Sequence, residues 1–295
     1  MRAHLNRIHN NISPTYLMGK RFTSYMWKFL FIIIILFFKS VCSYAADPDT
    51  KIMIFFFSSE TNINNFKSLK TEFDKYITAL GPYEFQPFSD RIIFEEHIKT
   101  KKNYLLFLSS WHYQKIYKSY LLSPVLVGSK NNTATQKRAI VVKAGTSLSN
   151  AIRFHDIEPI ASASSVEHTY HYLIDIIKDE QSLESTRIIA VPKDIDALMA
   201  VGFGMSKSAL VTAYSLNTLK TVNPFLFNSL KILTEGKESL LLIAAVPKPF
   251  AHQSEQAIYI IQQMAADPNG VKILKMFNIE GWKQIEATDI SKLEG

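Results

Sequence analysis

The stretch "IASASSVEHTYHYLIDII", residues 160–177, passes from a short apolar strand through a serine-rich turn into an apolar helix. Ser162, Ser164 and Ser165 form this serine turn. Their hydroxyls can cap the helix, because an N-cap oxygen accepts hydrogen bonds from N–H groups of the first turn. They can also bind an anion, since those N–H groups are free and the helix end carries partial positive charge. The rest of the chain decides between a cap and an anion site.

The same strand-to-helix unit repeats along the chain, which indicates an α/β fold. The strand-like runs are residues 51–57, 83–88, 104–109, 137–145, 158–163, 185–192, 208–214 and 239–247. Apolar side chains at helical spacing follow at residues 64–80, 91–102, 111–122, 194–204, 254–267 and 269–279. This alternation predicts sheets of mostly parallel strands with helices on both faces.

The chain divides into two such series, so we predict two lobes with a ligand cleft between them. The first lobe comprises residues 46–142 and 241–295, and the second comprises residues 143–240. The runs "AIVVKA" (139–144) and "LLLIAAV" (240–246) would be the strands at which the chain crosses between the lobes. Loops at the carboxyl ends of the strands would then surround the cleft, where open α/β sheets bind ligands.

Residues 1–45 have the order of a secretory signal peptide. They hold six Lys or Arg and no Asp or Glu, which leaves 33 − 6 = 27 basic and 26 acidic residues in the remainder. The apolar run "FLFIIIILFF" and the small-x-small sequence "SYA" predict cleavage before Ala46. An uncleaved membrane anchor is the alternative, and Met18 or Met26 could be the true start. We therefore expect a periplasmic protein, which would touch the membrane only if the leader is not cleaved.

The remaining composition argues against several function classes. The near balance of charge leaves no basic stripe that would follow a nucleic-acid backbone. Cys42, the only cysteine, lies in the leader, so the exported part can form neither a disulfide nor a thiolate metal site. His168 and His171 lie on one predicted helix beside Glu167, but the spacing supplies no third metal ligand. The sequence shows no nucleophile elbow, zinc-protease motif or phosphate-binding loop, so we predict no enzyme, no metal and no cofactor.

Four stretches carry a resemblance to a known family. They are "YLLFLSSWHY" (104–113), "KRAIVVKAGTSLSNA" (137–151), "ASASSVEHTYHYL" (161–173) and "NGVKILKMFNIEGWKQI" (269–285). In their order and spacing, the chain resembles the periplasmic substrate-binding components of phosphate/phosphonate-type ABC transporters over roughly residues 50–290. The resemblance implies the two-lobed type II periplasmic-binding-protein fold, which closes on its ligand by hinge motion.

The resemblance also implies where a ligand would bind. The serine turn would contribute its three hydroxyls together with His168, and the ends of predicted strands would contribute the other side chains. We expect these to be Ser58, Ser59, Ser109, Ser110, Trp111, Tyr113, Thr212 and Tyr214. Trp111 and Tyr113 could instead belong to the core face of the helix that follows, and Glu60 would repel an anion.

The sequence departs from the family at two points that bear on the ligand. Members often have Gly-x-x-Asp at the strand that enters the second-lobe site, where this chain has Ser208 and Thr212. The serine turn is followed by Val166, where a glycine is common. The missing acid puts ligands that carry an amine in doubt.

The function that the resemblance implies is capture of a small anionic or polar ligand, phosphate-like or phosphonate-like, for the permease of an ABC transporter. We expect the protein to be a monomer. A periplasmic sensor or interaction module that keeps this fold without transport is the alternative, and an enzyme on the same fold is a third. The identity of the ligand depends on hydrogen-bond donors and cleft volume, which are properties of the tertiary structure.

Overall fold

The computed structural model describes residues 51–60, 65–146, 154–177 and 186–294. The predicted signal peptide, its cleavage point and Cys42 lie outside the described residues, so those predictions stay open. Within the described ranges, no helix is both long enough and apolar enough to cross a membrane.

Strands and helices alternate through the described residues, as the sequence predicts. Strands β1 to β13 are Ile52–Phe57, Tyr83–Pro87, Tyr104–Leu108, Leu122–Ser129, Thr135–Gln136, Arg138–Lys143, Ile160–Ser162, Ile188–Ala190, Ser208–Thr212, Leu230–Glu235, Ser239–Leu240, Ile243–Pro247 and Gly281–Gln284. Helices α1 to α11 are Phe66–Ile77, Arg91–Lys99, Ser110–Ile116, Phe154–Ile157, Val166–Ile177, Asp194–Gly202, Ala213–Val222, Pro224–Asn228, Glu255–Gln262, Pro268–Met276 and Ala287–Glu294. Side-chain oxygens of Asn65, Asp90 and Asp267 cap α1, α2 and α10, which fixes where these helices begin.

The first sheet has six strands in the order β13-β4-β12-β3-β1-β2. Strands β1, β2 and β3 pair in parallel, whereas β12 lies antiparallel between β3 and β4. Helices α1, α9 and α10 cover one face, where Phe73 stacks on Phe85 with ring centroids 4.0 Å apart. Helices α2, α3 and α11 cover the other face. This sheet and its helices are the first lobe, and its central strands are continuously apolar because both faces are buried.

The second sheet has five strands in the order β10-β6-β9-β7-β8. Strands β7, β8 and β9 pair in parallel, and β6 lies antiparallel between β9 and β10. Helices α6, α7 and α8 cover one face, and α4 and α5 cover the other. This sheet and its helices are the second lobe. Both lobes thus share one plan, in which an antiparallel strand is inserted beside three parallel strands.

The chain passes between the lobes through β5 and β11, which pair as a separate two-stranded ribbon. Because both neighbours of β6 belong to the second sheet, Arg138–Lys143 lies in the second lobe and is not the crossing strand. The boundary between the lobes that the sequence predicts at residue 142 therefore shifts to the ribbon, at Thr135–Gln136. Strand β12 lies in the first sheet, and the boundary at residue 240 stays a prediction. Movement of the lobes as separate bodies stays a prediction.

Loops at the carboxyl ends of parallel strands from both lobes meet one another. Ser59 follows β1 and Ser109 follows β3, and their Oγ atoms share a hydrogen bond of 2.9 Å. The backbone N–H of Ser165, which follows β7, donates to the carbonyl of Ser59 at 2.8 Å. The carboxyl ends of strands therefore face each other across the lobes, where this class of sheet binds its ligands.

Gly270, in the first turn of α10, lies against the preceding 3-10 turn Gln263–Ala266. A Cβ at this position would lie 2.1 Å from the carbonyl oxygen of Met264, closer than any van der Waals contact. We predict that Gly270→Ala lowers the free energy of unfolding by roughly 1–3 kcal/mol, the usual cost of overpacking. Gly281→Ala is the control, because its Cβ would meet only ordinary contacts at 3.5 Å and beyond. Chemical denaturation gives the free energy of unfolding of each variant. Equal free energies of unfolding for Gly270→Ala and Gly281→Ala would contradict the close packing at Gly270.

Candidate ligand-binding site

A cavity of about 680 Å³ lies between the two lobes, at the loops that follow β1, β3 and β9. Its polar lining is Ser58, Glu60, Asn65, Ser109, Gln136, Arg138, Lys193, Asp194, Thr212, Tyr214, Ser215, Thr218, Lys275 and Asn278. Its apolar lining is Ala163, Pro192, Ile195, Leu241, Leu242, Met276, Phe277 and Ile279. Both the volume and the placing of polar groups among apolar walls are typical of a small-molecule site.

Arg138 forms a buried part of the cavity wall, with 2% of its surface exposed. Its Nη2 donates to the backbone carbonyl of Glu60 at 3.1 Å and lies 3.6 Å from the Glu60 carboxylate. Gln136 Nε2 also donates to that carboxylate. Because Arg138 begins β6 of the second lobe and Glu60 follows β1 of the first, this ion pair joins the lobes. Burial raises the pKa of Glu60, and the neighbouring guanidinium opposes the rise.

His168 is fully buried in α5 at the same junction. Its ring lies edge-on to Trp111 and Tyr172, with centroid distances of 5.3 and 5.1 Å. Nε2 is 3.9 Å from Glu60 Oε1, too far for a hydrogen bond, and neither ring nitrogen has a partner among the described residues. Burial and, next, the charge of Arg138 hold the pKa of His168 well below its usual 6.5. The imidazole is therefore neutral at physiological pH.

Asp194, the first residue of α6, brings a carboxylate to the other side of the cavity. Its Oδ2 accepts from the N–H and the Oγ1 of Thr212, both at 2.8 Å, and from Ser215 Oγ at 3.1 Å. Thr212 also caps α7, and Tyr214 lies under the ammonium of Lys130 at 3.7 Å from the ring centroid. Thr212 and Tyr214 therefore line the cavity beside Asp194, an acid that sequence reasoning missed, and their contact with a ligand stays a prediction.

The serine turn acts as a helix cap and as a link between the lobes. Ser165 Oγ accepts from the N–H of His168 at 3.2 Å, which is an N-cap contact of α5. Ser162 is fully buried and its Oγ accepts from the N–H of Ser164 at 3.2 Å. Ser164 Oγ in turn donates to the carbonyl of Glu60 at 3.4 Å across the lobes. None of these three described hydroxyls lines the cavity, so a direct role in ligand binding stays a prediction.

Most of the remaining predicted residues lie at the lobe junction. Ser58 and Ser109 line the cavity, and Ser109 also caps α3 by accepting from the N–H of His112 at 3.2 Å. Ser59 is buried behind them. Ser110 and Trp111 lie beside a second, smaller cavity of about 400 Å³ on the other side of Glu60. The predicted loops therefore meet, although their side chains face two cavities.

Tyr113 does not reach the cleft, which corrects the expectation that it contacts a ligand. It is fully buried in the first lobe, and its hydroxyl donates to the Glu294 carboxylate at 2.7 Å. Helix α3 already includes Trp111, and residues two apart on a helix point away from each other. Trp111 therefore lies at the lobe junction while Tyr113 packs against α11, so the core alternative applies to Tyr113.

Exposed ion pairs also join the lobes. Glu167 of α5 lies 2.9 Å from Arg91 Nε and 2.7 Å from Lys115 Nζ, which belong to the first lobe. Arg91 also pairs with Glu95 of its own helix at 2.8 Å. Exposed pairs of this kind contribute little to stability individually. The buried junction around Arg138 is therefore the stronger restraint on how the lobes meet.

Sequence reasoning missed the charged residues that define this site. Arg138 could have been noticed, because an arginine that opens the apolar run "RAIVV" must find a partner if that strand is buried. From the sequence alone, Glu60 is expected to repel an anion, because its pairing with Arg138 is a tertiary contact. In the ranges that the structure describes, no three His, Cys, Asp or Glu side chains are placed to hold a metal ion.

Comparisons with known proteins bear on the fold. No protein-family model matches the sequence, and no curated protein matches it. Among solved structures, XAC2383 from Xanthomonas citri, bound to chloride ion, has a TM-score of 0.61 at 10% identity, covering 82% of this chain and 95% of that one. A binding-protein component of an ABC phosphonate transporter from Pseudomonas aeruginosa has 0.55 at 11% identity, covering 82% and 84%. PhnD1 from Prochlorococcus marinus, in complex with methylphosphonate, has 0.56 at 13% identity, covering 83% and 97%.

At these identities the similarities establish the fold alone. Together with the two sheets and the cleft between them, they show that the chain has the two-lobed type II fold of periplasmic binding proteins. The structures that share this fold include binding proteins of phosphonate-type ABC transporters, which are the family that the sequence resembles. The predicted fold class is confirmed.

The depressed pKa of His168 predicts a specific loss of stability in acid. In the unfolded chain this histidine takes up a proton near pH 6.5, whereas in the folded chain it does so only well below that pH. The free energy of unfolding should therefore fall as the pH drops below about 6.5, by up to about 1.4 kcal/mol for each unit between the two pKa values. His168→Phe, which fills the same space without a titrating group, should remove this part of the pH dependence.

The control for this prediction is His252→Gln. His252 is exposed and its pKa is raised by Glu255, so its contribution has the opposite sign. Urea unfolding of the three proteins between pH 5 and pH 8 measures the effect. Parallel profiles for the wild type and His168→Phe would contradict the assignment of the acid-sensitive group.

Proposed function

We propose that the chain is an exported solute-binding protein, which captures a small anionic or polar ligand between its lobes for an ABC transporter. The observation that carries this proposal is the inter-lobe cavity with the buried guanidinium of Arg138 in its wall. A guanidinium in a cavity wall favours a ligand that brings acceptor oxygens, because this group only donates hydrogen bonds. The phosphonate-transporter component and the methylphosphonate complex that share the fold support an oxyanion as the ligand.

The other polar groups of the cavity would complete the hydrogen bonds of the ligand. Ser58 and Ser109 come from the first lobe, while Thr212 and Tyr214 come from the second. A ligand held between the two sets would stabilise the closed arrangement, since each lobe alone supplies only half of the contacts. In this proposal the serine turn holds the lobes together, and its direct contact with the ligand stays a prediction.

Hinge closure would take place at the ribbon formed by β5 and β11, because the chain crosses between the lobes there. The lobes of the proposal are therefore those of the two sheets, with the first boundary moved from residue 142 to that ribbon. A permease as partner, a monomeric state and the absence of enzymatic activity complete the proposal. A sensor without transport would use the same cavity. It would differ in the partner protein that binds the closed form.

The first test is a thermal-shift screen of the purified protein against phosphate, phosphite, methylphosphonate, methanesulfonate, ATP and amino acids. A ligand at 100 times its dissociation constant stabilises the folded state by about 2.7 kcal/mol, so a true ligand raises the melting temperature. Arg138→Lys keeps the charge beside Glu60 but loses the planar set of donors. We predict that it weakens binding of the best ligand by about tenfold or more, because a hydrogen bond to a charged group contributes roughly 1.5–3 kcal/mol.

Arg91→Lys is the matched control for that prediction. Arg91 also joins the lobes through an acid, Glu167, but it does not line the cavity, so this change should leave affinity within about twofold. Titration calorimetry gives the three dissociation constants. A screen in which no probe shifts the melting temperature, or equal losses in the two arginine variants, would contradict the proposal.

The proposal also places the protein in the periplasm through a cleaved signal peptide of residues 1–45. The order of basic residues, apolar run and "SYA" in the sequence motivates it. We predict that mass spectrometry of periplasmic material finds Ala46 at the N-terminus. Substituting Ala45 by Arg should block cleavage, and the intact chain should then remain with the membrane fraction. Intact wild-type chain in the membrane fraction would favour the anchor alternative.

A further inference from the structure

Four large apolar side chains are exposed at one end of the second lobe, and we call them the apolar tip. They are Phe203 and Met205, which follow α6, Val222 at the end of α7, and Phe225 in α8. Their exposed fractions are 69%, 64%, 73% and 88%, in that order. Single exposed apolar side chains are common on protein surfaces, whereas a group of them marks a contact with another surface.

The ends of three helices bring the apolar tip together. A Cβ on Gly202, the last residue of α6, would lie 2.1 Å from Cδ1 of Leu226 in α8, so these two helices touch. Helix α8 starts two residues after Val222, and Asn223 caps it by accepting from the N–H of Leu226 at 3.0 Å. Leu226 is buried beneath this turn. Because neighbouring residues of a helix point in different directions, Phe225 projects outward.

The apolar tip is separate from the ligand cavity. Asp194 at the start of α6 and Tyr214 at the start of α7 line that cavity, and none of the four tip residues lines either cavity. Helices α6 and α7 are nine and ten residues long, so their far ends lie about 13–15 Å further along at a rise of 1.5 Å per residue. The tip is therefore a second surface of the lobe, at the opposite ends of helices that begin at the cavity.

The chain around the apolar tip carries positive charge only. Residues 197–234 contain Lys207, Lys220 and Lys231 and no Asp or Glu. All three lysines are exposed, and Nζ of Lys220 lies 5.9 Å from the ring centroid of Phe227 in α8. Asp156, the nearby acid of α4, belongs to the opposite face of the sheet. A basic and apolar surface complements a partner that is negative at its surface and apolar beneath.

The size and shape of the apolar tip favour a lipid bilayer over a protein partner. Aromatic side chains present about 150–250 Å² each, so the four exposed residues together offer on the order of 500 Å². One partner of a stable protein complex buries about 800 Å². A side chain as exposed as Phe225 would need a pocket in a protein partner, whereas a lipid interface admits it without one.

We propose that the apolar tip docks on a bilayer that contains anionic lipids, with Phe203 and Phe225 inserted and Lys220 near the lipid phosphates. Peripheral binding of this kind combines buried apolar area with the attraction of basic side chains to anionic headgroups. The contact would be additional to any that an uncleaved leader makes. It does not rest on the proposed function, because the tip is separate from the cavity.

The emission of a tryptophan placed in the apolar tip tests the inference. Purified Phe225→Trp is mixed with vesicles of phosphatidylcholine and phosphatidylglycerol, or of phosphatidylcholine alone, and the emission of the wild type is subtracted. We expect a shift to shorter wavelength with the anionic vesicles, because the indole leaves water, and a smaller shift with the neutral ones. Tyr259→Trp is the matched control, since Tyr259 is an exposed aromatic residue of α9 in the first lobe and should show no shift.

Sedimentation with the same vesicles gives the partition coefficient of each variant. Phe225→Ser should lower it by about tenfold or more, the change expected when one phenylalanine is no longer buried. Lys220→Gln should lower it at low salt and have less effect at high salt, because salt screens the attraction to the headgroups. Tyr259→Ser should leave the partition coefficient unchanged. The three positions are exposed, so these variants should fold.

Two results would overturn the inference. One is emission from Phe225→Trp that is the same with and without anionic vesicles; this measurement also decides if an attached leader holds every variant on the vesicles. The other is a dimer in analytical ultracentrifugation that Phe225→Ser dissociates, which would assign the apolar tip to a second copy of the chain.

Discussion

The pairing of Arg138 with the loop at Glu60 is the contact on which the rest of the structure depends. A guanidinium at the start of a buried strand is costly unless its charge and its N–H groups find partners. The loop after β1 supplies both a carbonyl and a carboxylate, and to do so it must come close to the second lobe. That approach brings Ser59 against Ser165 and sets the distance between the lobes. The shape of the cavity follows from this distance.

The serine turn shows how one local structure serves two kinds of partner. A helix N-terminus attracts anything that carries negative charge, and a backbone carbonyl satisfies it as an oxyanion would. Here the carbonyl groups of Ser59 and Glu60 meet the donors of Ser165 and Ser164. The donors that could hold an anion thus hold the opposite lobe. In both interpretations of this turn, its N–H and hydroxyl groups donate to an oxygen atom. The interpretations differ in whether that oxygen belongs to the opposite lobe or to a ligand.

The elements that the sequence predicted best are those whose pattern is decided locally. Buried parallel strands such as β1 and β3 are continuous apolar runs, and α1 has strongly periodic apolar positions. Strand β4 was not predicted, because its neighbours β12 and β13 come from more than a hundred residues later in the chain. Strand β10 was also missed, since it lies at a sheet edge and is only partly buried. For these two strands, tertiary pairing outweighs local pattern.

The residues of the candidate site also fall into those that the local sequence predicts and those that only tertiary contacts reveal. Serines at strand ends could be found from position alone, and Ser58, Ser109 and Thr212 do line the cavity. Tyr113 could not be told from Trp111 without the rotation of α3, which depends on packing against α11. The importance of Arg138 emerges only from its pairing, because the sequence does not say which distant acid will lie beside it.

Trp111 is placed so that its fluorescence would report whether the two lobes are in contact. The indole belongs to α3 of the first lobe, and the rings of His168 and His171 from the second lobe lie 5.3 and 5.7 Å from it. Separation of the lobes would remove both imidazoles and admit water, and indole emission responds to both changes. Trp282 is stacked on Phe107 inside the first lobe, and the third tryptophan of the chain is in the leader. In an exported chain, one fluorophore would therefore register the junction while the other stays in a constant surrounding.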